Sequence, residues 1–582
     1  MNGLATGRAQ VAASENGIKP ARKPNRKGTR PKGGDDVRFA TLDAETDPFR
    51  RARIPKPFLW GFYDGCEYLE FNKTEDAIEH VKNFDGIVYA HNGGKFDFHF
   101  LLKYMNREEP IMLINGRLVE CKIGKATLRD SYALLPAPLS AFKKDEIDYA
   151  IFEKNQRNKP QNRVKISHYL KMDCVYLREL VTQFINTYGL HVTQAGAAMK
   201  TWLKMADIKA PHSKPQFFAD FSKFYFGGRV EVFKSGHIKK PLVLKDINSA
   251  YPWAMMTPHP YGLSYTQSSN PKIEDLKATT FIEVECVSKG ALPYRDEKKR
   301  ITFPNDGMRR VYFAIGHEFI AAMEANLVSD ISLRKSYNFH DQKDFKHYIE
   351  HFYELRLKAK AKIELILAGK CIENLDYWKA QDLFAKLLMN SLYGKFGSNP
   401  ENYGHYMFAP DDFNIEDYAN DNYLPYAELD GVPVLCAPLE VDEMRYFNVA
   451  TAASITSQVR ALLLRTINQS SGVAYCDTDS ILCEDFGGEE GKALGQWKHE
   501  YNIAESWIAG KKMYCLRKEK KDKDGLYKIA SKGVRLSAKE IKDMCDGKTV
   551  FHSPKVPTFS LRKKPDFTKR HVKMLDEIKA LA

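Results

Sequence analysis

Apolar and polar positions change pattern several times along the chain, and each change marks an element. Residues 1–36 hold almost no apolar pattern and are rich in Gly, Pro, Lys and Arg, as in KPARKPNRKGTRPKGG. Such a stretch cannot bury enough surface to offset its ordering entropy, so a disordered basic tail is expected, either a weak grip on nucleic acid or an inert extension. Order is expected from Val37. VRFATLDAET carries Phe39, Thr41 and Leu42 and then acids, the pattern of a strand that runs into a polar site. A mixed α/β stretch follows to about Thr193. PLVLKDINSAYP is a second apolar strand, ending in Asp246. After a long region of mixed signals the pattern turns helical from about His351 to Gly397, beginning with YELRLKAKAKIELILAG. Ser398 to Val441 is turn-rich with few periodic signals. GVAYCDTDSILCEDF then predicts a hairpin with Asp477-Thr478-Asp479 at its tip, Val473 and Tyr475 on one arm and Ile481 on the other. No internal repeat is present.

Length and charge narrow the class. At 582 residues the chain is too long for one core, and roughly two to four domains are expected. Lysine and arginine outnumber aspartate and glutamate 88 to 74, a net charge of +14. That excess suits a polyanionic partner such as nucleic acid. The 10 cysteines are scattered and form no Cys-x-x-Cys pair, which argues against a structural zinc site or a disulfide framework and for a reduced, intracellular protein. No apolar run is long enough to span a membrane, and no apolar segment near the N-terminus reads as a secretory signal.

Carboxylates supply the candidate chemistry. Asp43 and Glu45 lie two apart at a strand end and so face one side of a sheet. Asp97 follows an apolar strand in VYAHNGGKFDF, and Asp173 follows Tyr169 by four residues, one helical turn. Any one of these acids alone reads as an ordinary surface residue. Four together can hold two hard cations about 3.5–4 Å apart, the arrangement that suits phosphodiester hydrolysis. One ion activates water, the other stabilises the leaving 3′ oxygen, and Tyr169 can orient the water. A second constellation, Asp246, Asp477 and Asp479, places acids on strand ends rigid enough to position two ions for nucleotidyl transfer. A third is helical. In KAQDLFAKLLMNSLYGKFG, Lys386, Asn390, Tyr393 and Gly394 share one face, while Phe384, Leu388 and Leu392 share roughly the opposite, inward one. The polar face offers a cation for triphosphate oxygens and a ring beside a base, and Gly394 leaves room for the nascent pair.

Taken in order, these residues resemble the family B DNA polymerases. The exonuclease motifs stand as DAE (Asp43, Glu45), HNGGKFD (Asn92, Phe96, Asp97) and YLKMD (Tyr169, Asp173). The polymerase motifs stand as DINSAYP (Asp246 to Pro252), KLLMNSLYG (Lys386 to Gly394) and YCDTDS (Tyr475 to Ser480), followed by Lys512-Met513-Tyr514. The subgroup is similar to the protein-primed polymerases of linear viral and plasmid genomes. The chain is short, FYFGG with Tyr225, Gly227 and Gly228 matches the linker between exonuclease and polymerase domains, long segments separate the polymerase motifs, and C-terminal cysteine clusters are absent.

The resemblance implies a multidomain α/β and α+β fold. A ribonuclease-H-like exonuclease domain (37–195) would precede a right-hand polymerase: palm (196–262 and 443–528), fingers (351–398) and thumb (529–582). Two insertions are expected, 263–350 to contact a priming protein and 399–442 to encircle the template for processivity and strand displacement. Asp43, Glu45, Asp97 and Asp173 would ligate the exonuclease metals, assisted by Lys144 and Tyr169. Thr46, Asn92, Phe96 and Ser131 would hold the frayed primer end. Asp246 and Asp479, with the Ile247 carbonyl, would ligate the polymerase metals beside Asp477. Tyr251 would exclude a 2′-hydroxyl, Lys386, Asn390 and Tyr393 would line the nucleotide pocket, and Lys512 and Tyr514 would steady the primer. Arg356, Lys358 and Lys360 all remain candidates for the second triphosphate cation. The implied cofactor is Mg²⁺, two per site, with Mn²⁺ as a substitute. The implied partners are template and primer DNA, deoxynucleotides and a terminal protein, met by a monomer in the host cytoplasm. An ordinary family B polymerase extending nucleic-acid primers, and a non-catalytic DNA-binding relative, are the alternatives. Two positions depart from the family pattern: Ala250 and Tyr132 stand where leucine is usual.

Overall fold

The computed structural model describes residues 38–50, 53–414, 416, 418, 422–429, 431–552 and 570–572. The tail expected at 1–36 and much of the thumb expected at 529–582 lie outside the described residues.

The first domain is built on strand Phe39–Thr46, which pairs antiparallel with Pro57–Tyr63 and parallel with Ile87–Ala90; that strand in turn runs parallel to Ala126–Asp130. Helices cover both faces, so the central strands are buried almost throughout, polar residues included. Ala40, Leu42 and Ala44 pack with Ala77, Ile78 and Val81 of helix Thr74–Asn83. Alternate residues point the other way, toward helix Pro160–Tyr188, where the Thr41 hydroxyl donates to the Cys174 carbonyl at 2.9 Å. Period-two alternation therefore sends Asp43 and Glu45 toward the same helix.

This sheet does not end with its own domain. Strand Pro110–Ile114 pairs with Gly404–Phe408, which continues into Val432–Pro438 and Leu424–Leu429, giving ten strands in all. Tyr406, Phe408, Val432 and Val434 are part of the first domain's core. The turn-rich reading of Ser398 to Val441 missed these strands. Pro425, Pro433 and Pro438 and a bulge between Pro425 and Ala427 break the alternation that would have revealed them.

A second sheet has the order Gly525–Ser531, Met513–Asp522, Trp497–Gly510, Leu242–Ile247, Ser480–Cys483, Tyr475–Asp477, Val230–Val232. Ile247, Cys476, Ile481 and Cys483 pack toward helix Val449–Gln469, which is buried along most of its length. Helices Lys346–Leu367 and Leu375–Phe396 form an antiparallel pair, and Phe384 meets Phe184 of the long first-domain helix edge-on at 5.2 Å. Residues 265–339 add a separate four-stranded sheet and helix Gly316–Glu324.

That helix is tied to helix Val449–Gln469 by an ion pair, Arg460 Nε to Glu318 Oε2 at 2.7 Å, with both side chains 2% exposed. Arg460 also donates to the carbonyls of Phe226 and Gly227 at 2.7 and 3.0 Å. Burial on this scale makes loss of one partner costly, because the other charge stays buried and unpaired. Arg460→Met should destabilise the protein by about 3–5 kcal/mol, and Glu318→Leu added to it should recover much of the loss. Thermal melts of the single and double variants test this; a single variant melting like the unaltered chain contradicts it.

Candidate active sites

The first-domain acids converge from three elements. Asp43 and Glu45 come from the central strand. Asp97 opens the short helix Asp97–Phe100 after a turn in which Asn92 takes φ 63°. Asp173 and Tyr169 face the sheet from one turn of helix Pro160–Tyr188, both buried. Their charges are held against their preference. Burial, and then the Asp173 charge, pushes Asp43 up to about 7. Burial and the neighbouring acids hold Glu45 and Asp97 well above the usual carboxylate range. Asp173 is raised by burial and pulled back by Lys144, whose Nζ lies 3.1 Å from its Oδ2. Oδ1 of Asp97 and Oδ1 of Asp173 are buried with no hydrogen-bond partner. Among the described residues no three His, Cys, Asp or Glu side chains stand, as placed, close enough together to hold a metal ion. Unpartnered buried carboxylate oxygens that repel one another are nevertheless what a hard divalent cation relieves, so the donor set fits such ions. Tyr169 carries a partner the motif did not reveal, the Tyr149 hydroxyl at 3.1 Å.

The residues expected at a primer end are spread around this centre. Thr46 closes the strand, its hydroxyl donating to the Asp47 carbonyl at 3.2 Å. Asn92 Oδ1 accepts from Arg117 at 2.9 Å. Phe96 stands edge-on to Phe49 at 5.7 Å and Phe100 at 5.2 Å. Ser131 is not at the surface: it is fully buried, donating to the Ala90 carbonyl at 3.3 Å and meeting His91 Nδ1 at 3.0 Å. Its neighbour Tyr132 lies under the Arg117 guanidinium at 4.6 Å, a support absent from the motif reading.

In the second sheet Asp246 lies directly opposite Ser480, and the Ile247 N–H donates to the Asp479 carbonyl at 2.7 Å, pinning strand and hairpin together. Burial, then Asp246 and Asp477, pushes Asp479 up to about 6. Asp246 is raised by burial, with Lys498 at 2.8 Å pulling it back. Asp477 is engaged elsewhere: both its oxygens accept from Lys512 Nζ, at 2.6 and 2.7 Å. After burial, the Asp246 charge does most to raise Asp479, so these two acids lie within reach of each other's charge.

The hairpin tip is braced by the linker. Thr478 has φ 60°, and its N–H donates to the Arg229 carbonyl at 2.6 Å. A Cβ at Gly228 would fall 2.7 Å from the Thr478 side chain, so only glycine fits there, whereas Gly227 faces open space. The Tyr225 ring packs so closely on Gly397 that a Cβ there would sit 2.4 Å from it. Tyr514 meets Tyr475 edge-on at 5.2 Å.

Above the acids Tyr251 and Tyr393 stack with centroids 4.3 Å apart and planes 15° from parallel. Lys386 and Asn390 are exposed on the same helix as Tyr393, and Asn390 Nδ2 turns back to the Lys386 carbonyl at 2.7 Å. Gly394 borders open space. Of the three candidates for a second cation, Arg356 is committed to Asp382 at 3.0 Å. Lys358 is exposed and lies 5.7 Å over Trp378, and Lys360 is exposed. An open cleft of about 2800 Å³ runs between the first sheet, the end of helix Leu375–Phe396 and strand Gly404–Phe408, with Lys95, Arg117, Lys125, Lys395 and Arg445 among its lining residues.

A sheet with acids on adjacent strand ends, beside a helix pair that presents a lysine and a tyrosine, is laid out as in a right-hand polymerase. Residues 142–450, just over half of the chain, match the family of type B DNA polymerases of organelles and viruses. The chain is 36% identical over 515 residues to the DNA-directed DNA polymerase of Enterobacteria phage PRD1, covering 87% of each. A probable DNA polymerase of Neurospora intermedia is 25% identical, with 82% of this chain and 59% of that one covered. The fold is that of the phi29 DNA polymerase complexed with single-stranded DNA, at a TM-score of 0.67 and 17% identity over 92% of this chain and 100% of that one. The chain belongs to the type B DNA polymerases of organelles and viruses and is a DNA-directed DNA polymerase.

The raised carboxylates set a pH signature. An acid whose folded pKa lies above its unfolded value is stabilising only while protonated, so its burden on the fold grows as pH rises from about 4 toward 7. Asp43→Asn removes the ionisation. In chelator the variant should melt above the unaltered chain at pH 8, with the gain shrinking as pH falls to 5. A pH-independent difference would count against the burial of Asp43 as an ionising group.

Proposed function

We propose that this polymerase copies a DNA template by two-ion nucleotidyl transfer, proofreads with a separate 3′–5′ exonuclease site, and starts on a terminal protein. The observation that carries the first two parts is the presence of two separate carboxylate clusters, one largely buried between the first sheet and helix Pro160–Tyr188 and one half-buried at strand ends of the second sheet, each beside a lysine. Type B polymerases work with divalent cations; Mg²⁺ is the ion proposed here, with Mn²⁺ as substitute, supplying an activated oxygen nucleophile and charge neutralisation.

In the palm, Asp246 and Asp479, with the Ile247 carbonyl, would hold the ions against the primer hydroxyl and the triphosphate. Lys386 would bind triphosphate oxygens from the exposed helix face. The Tyr251–Tyr393 stack would form the floor of the sugar pocket, with Tyr251 closing it to a 2′-hydroxyl. Lys512 and Tyr514 would hold the primer strand. In the first domain, Asp43, Glu45, Asp97 and Asp173 would hold the ions, Tyr169 would orient the attacking water and Lys144 would steady Asp173. Asn92 and Phe96 would receive the frayed end. Residues 263–350 would contact the priming protein. Residues 399–442, anchored on the first domain's sheet, would close over the template beside the basic cleft. Host-cell cytoplasm is the proposed location.

Two measurements test this reading. Asp479→Ala should abolish nucleotide incorporation while 3′–5′ degradation of single-stranded DNA continues, and Asp43→Ala with Glu45→Ala should do the reverse; near-normal extension by Asp479→Ala would remove the palm assignment. For priming, incubation with labelled deoxynucleotide and the replication proteins of the same genome should yield a nucleotide covalently attached to a protein. If label enters only extended DNA primers, the chain is a nucleic-acid-primed polymerase.

A further inference from the structure

Two of the three palm acids are paired with a lysine, and the two lysines are held differently. Lys512 bonds both oxygens of Asp477, and its backbone N–H donates to the Tyr475 hydroxyl at 3.0 Å, which fixes its base. Lys498 belongs to none of the motifs. It lies on strand Trp497–Gly510 directly opposite Asp246, so both side chains leave the same face of the sheet. Its ammonium lies 2.8 Å from Asp246 Oδ1, and its side chain is 46% exposed against 22% for Asp246. Glu500, two residues along the strand, is taken by Lys528 at 2.5 Å. Lys498 is therefore a cation with one partner in the site and an open path to solvent.

An ammonium on Oδ1 covers a lone pair that a divalent cation needs, and like charge repels the ion further. A highly charged triphosphate entering beside Asp246 offers the flexible lysine a stronger partner than one carboxylate. We propose that Lys498 is a displaceable counter-ion of Asp246 that weakens divalent-cation binding in the palm until a nucleoside triphosphate draws the ammonium away. Cation and nucleotide then bind with positive coupling, and each must raise the other's affinity by the same factor. The proposal rests on the assignment of Asp246 as a metal ligand.

The test uses the full chain carrying Asp43→Ala and Glu45→Ala, so that the palm is the site observed. Mn²⁺ binding is followed by electron paramagnetic resonance without nucleotide. Lys498→Met should bind Mn²⁺ about fivefold or more tightly than its parent, the lower end of ordinary coupling factors. The KM for deoxynucleotide in primer extension should rise, and Lys498→Arg should restore both values toward the parent. Unchanged or weaker Mn²⁺ binding by Lys498→Met, with Lys498→Gln behaving alike, overturns the role of Lys498. Adding Asp246→Asn should remove the palm Mn²⁺ signal. If it does not, Asp246 is not a metal ligand and the proposal falls with that assignment.

Discussion

Crowding carboxylates together away from water is the constraint around which both sheets of this polymerase are built. Water stabilises an isolated carboxylate well, and removing it raises the energy of the ionised form. Asp43, Glu45 and Asp97 in one site and Asp246 and Asp479 in the other are all raised by burial before any charge is counted. Strands are the elements that can carry this load, because their ladders fix Cβ positions independently of side-chain repulsion. Lysine is the local relief: Lys144 on Asp173, Lys498 on Asp246 and Lys512 on Asp477.

The same elements that hold the acids also connect the modules. Helix Pro160–Tyr188 presents Tyr169 and Asp173 near its middle and packs Phe184 against Phe384 of helix Leu375–Phe396 near its end. The linker around Tyr225 is clasped from several sides. Arg295 donates to the Tyr225 carbonyl at 2.5 Å, Arg460 holds Phe226 and Gly227, and Arg229 reaches the Gly290 carbonyl at 2.7 Å while its own carbonyl receives Thr478. Residues 265–339 thus bear on the Asp477–Asp479 hairpin through one short segment, and strand Gly404–Phe408 fastens the segment between helices Leu375–Phe396 and Val449–Gln469 to the first sheet.

The elements legible in the sequence were those whose pattern and chemistry agreed. The strand through Asp43, the helical turn joining Tyr169 to Asp173, and the hairpin at Asp477 are local features, each set by a few residues. The inward face of Phe384, Leu388 and Leu392 was legible for the same reason, since all three are fully buried. What escaped was set by partners far away in the chain. Strand Gly404–Phe408 joins the first sheet through residues 110–114, nearly 300 residues earlier, and its neighbours carry prolines that mask alternation. Ser131 matched a motif by type, yet its burial against Ala90 and His91 is decided by the fold around it. Lys498 carried no signal because its significance lies in being opposite Asp246 across a ladder 252 residues away in sequence.

Register explains why that pairing is consequential. In an antiparallel ladder, a shift of one residue sends a side chain to the other sheet face. The register shift between Leu244 and Lys245 lies just before Asp246, and it is this irregularity that brings Lys498, rather than His499, opposite the acid. Lys245, one residue earlier and so on the other face, is buried and pairs with Glu490 at 2.6 Å. The pleat sends these two adjacent residues to opposite faces, and the extra residue on the partner strand, Glu500, decides only which side chain lies opposite the acid. The presence of a lysine, rather than a histidine, against Asp246 follows from a single irregularity in the backbone pairing.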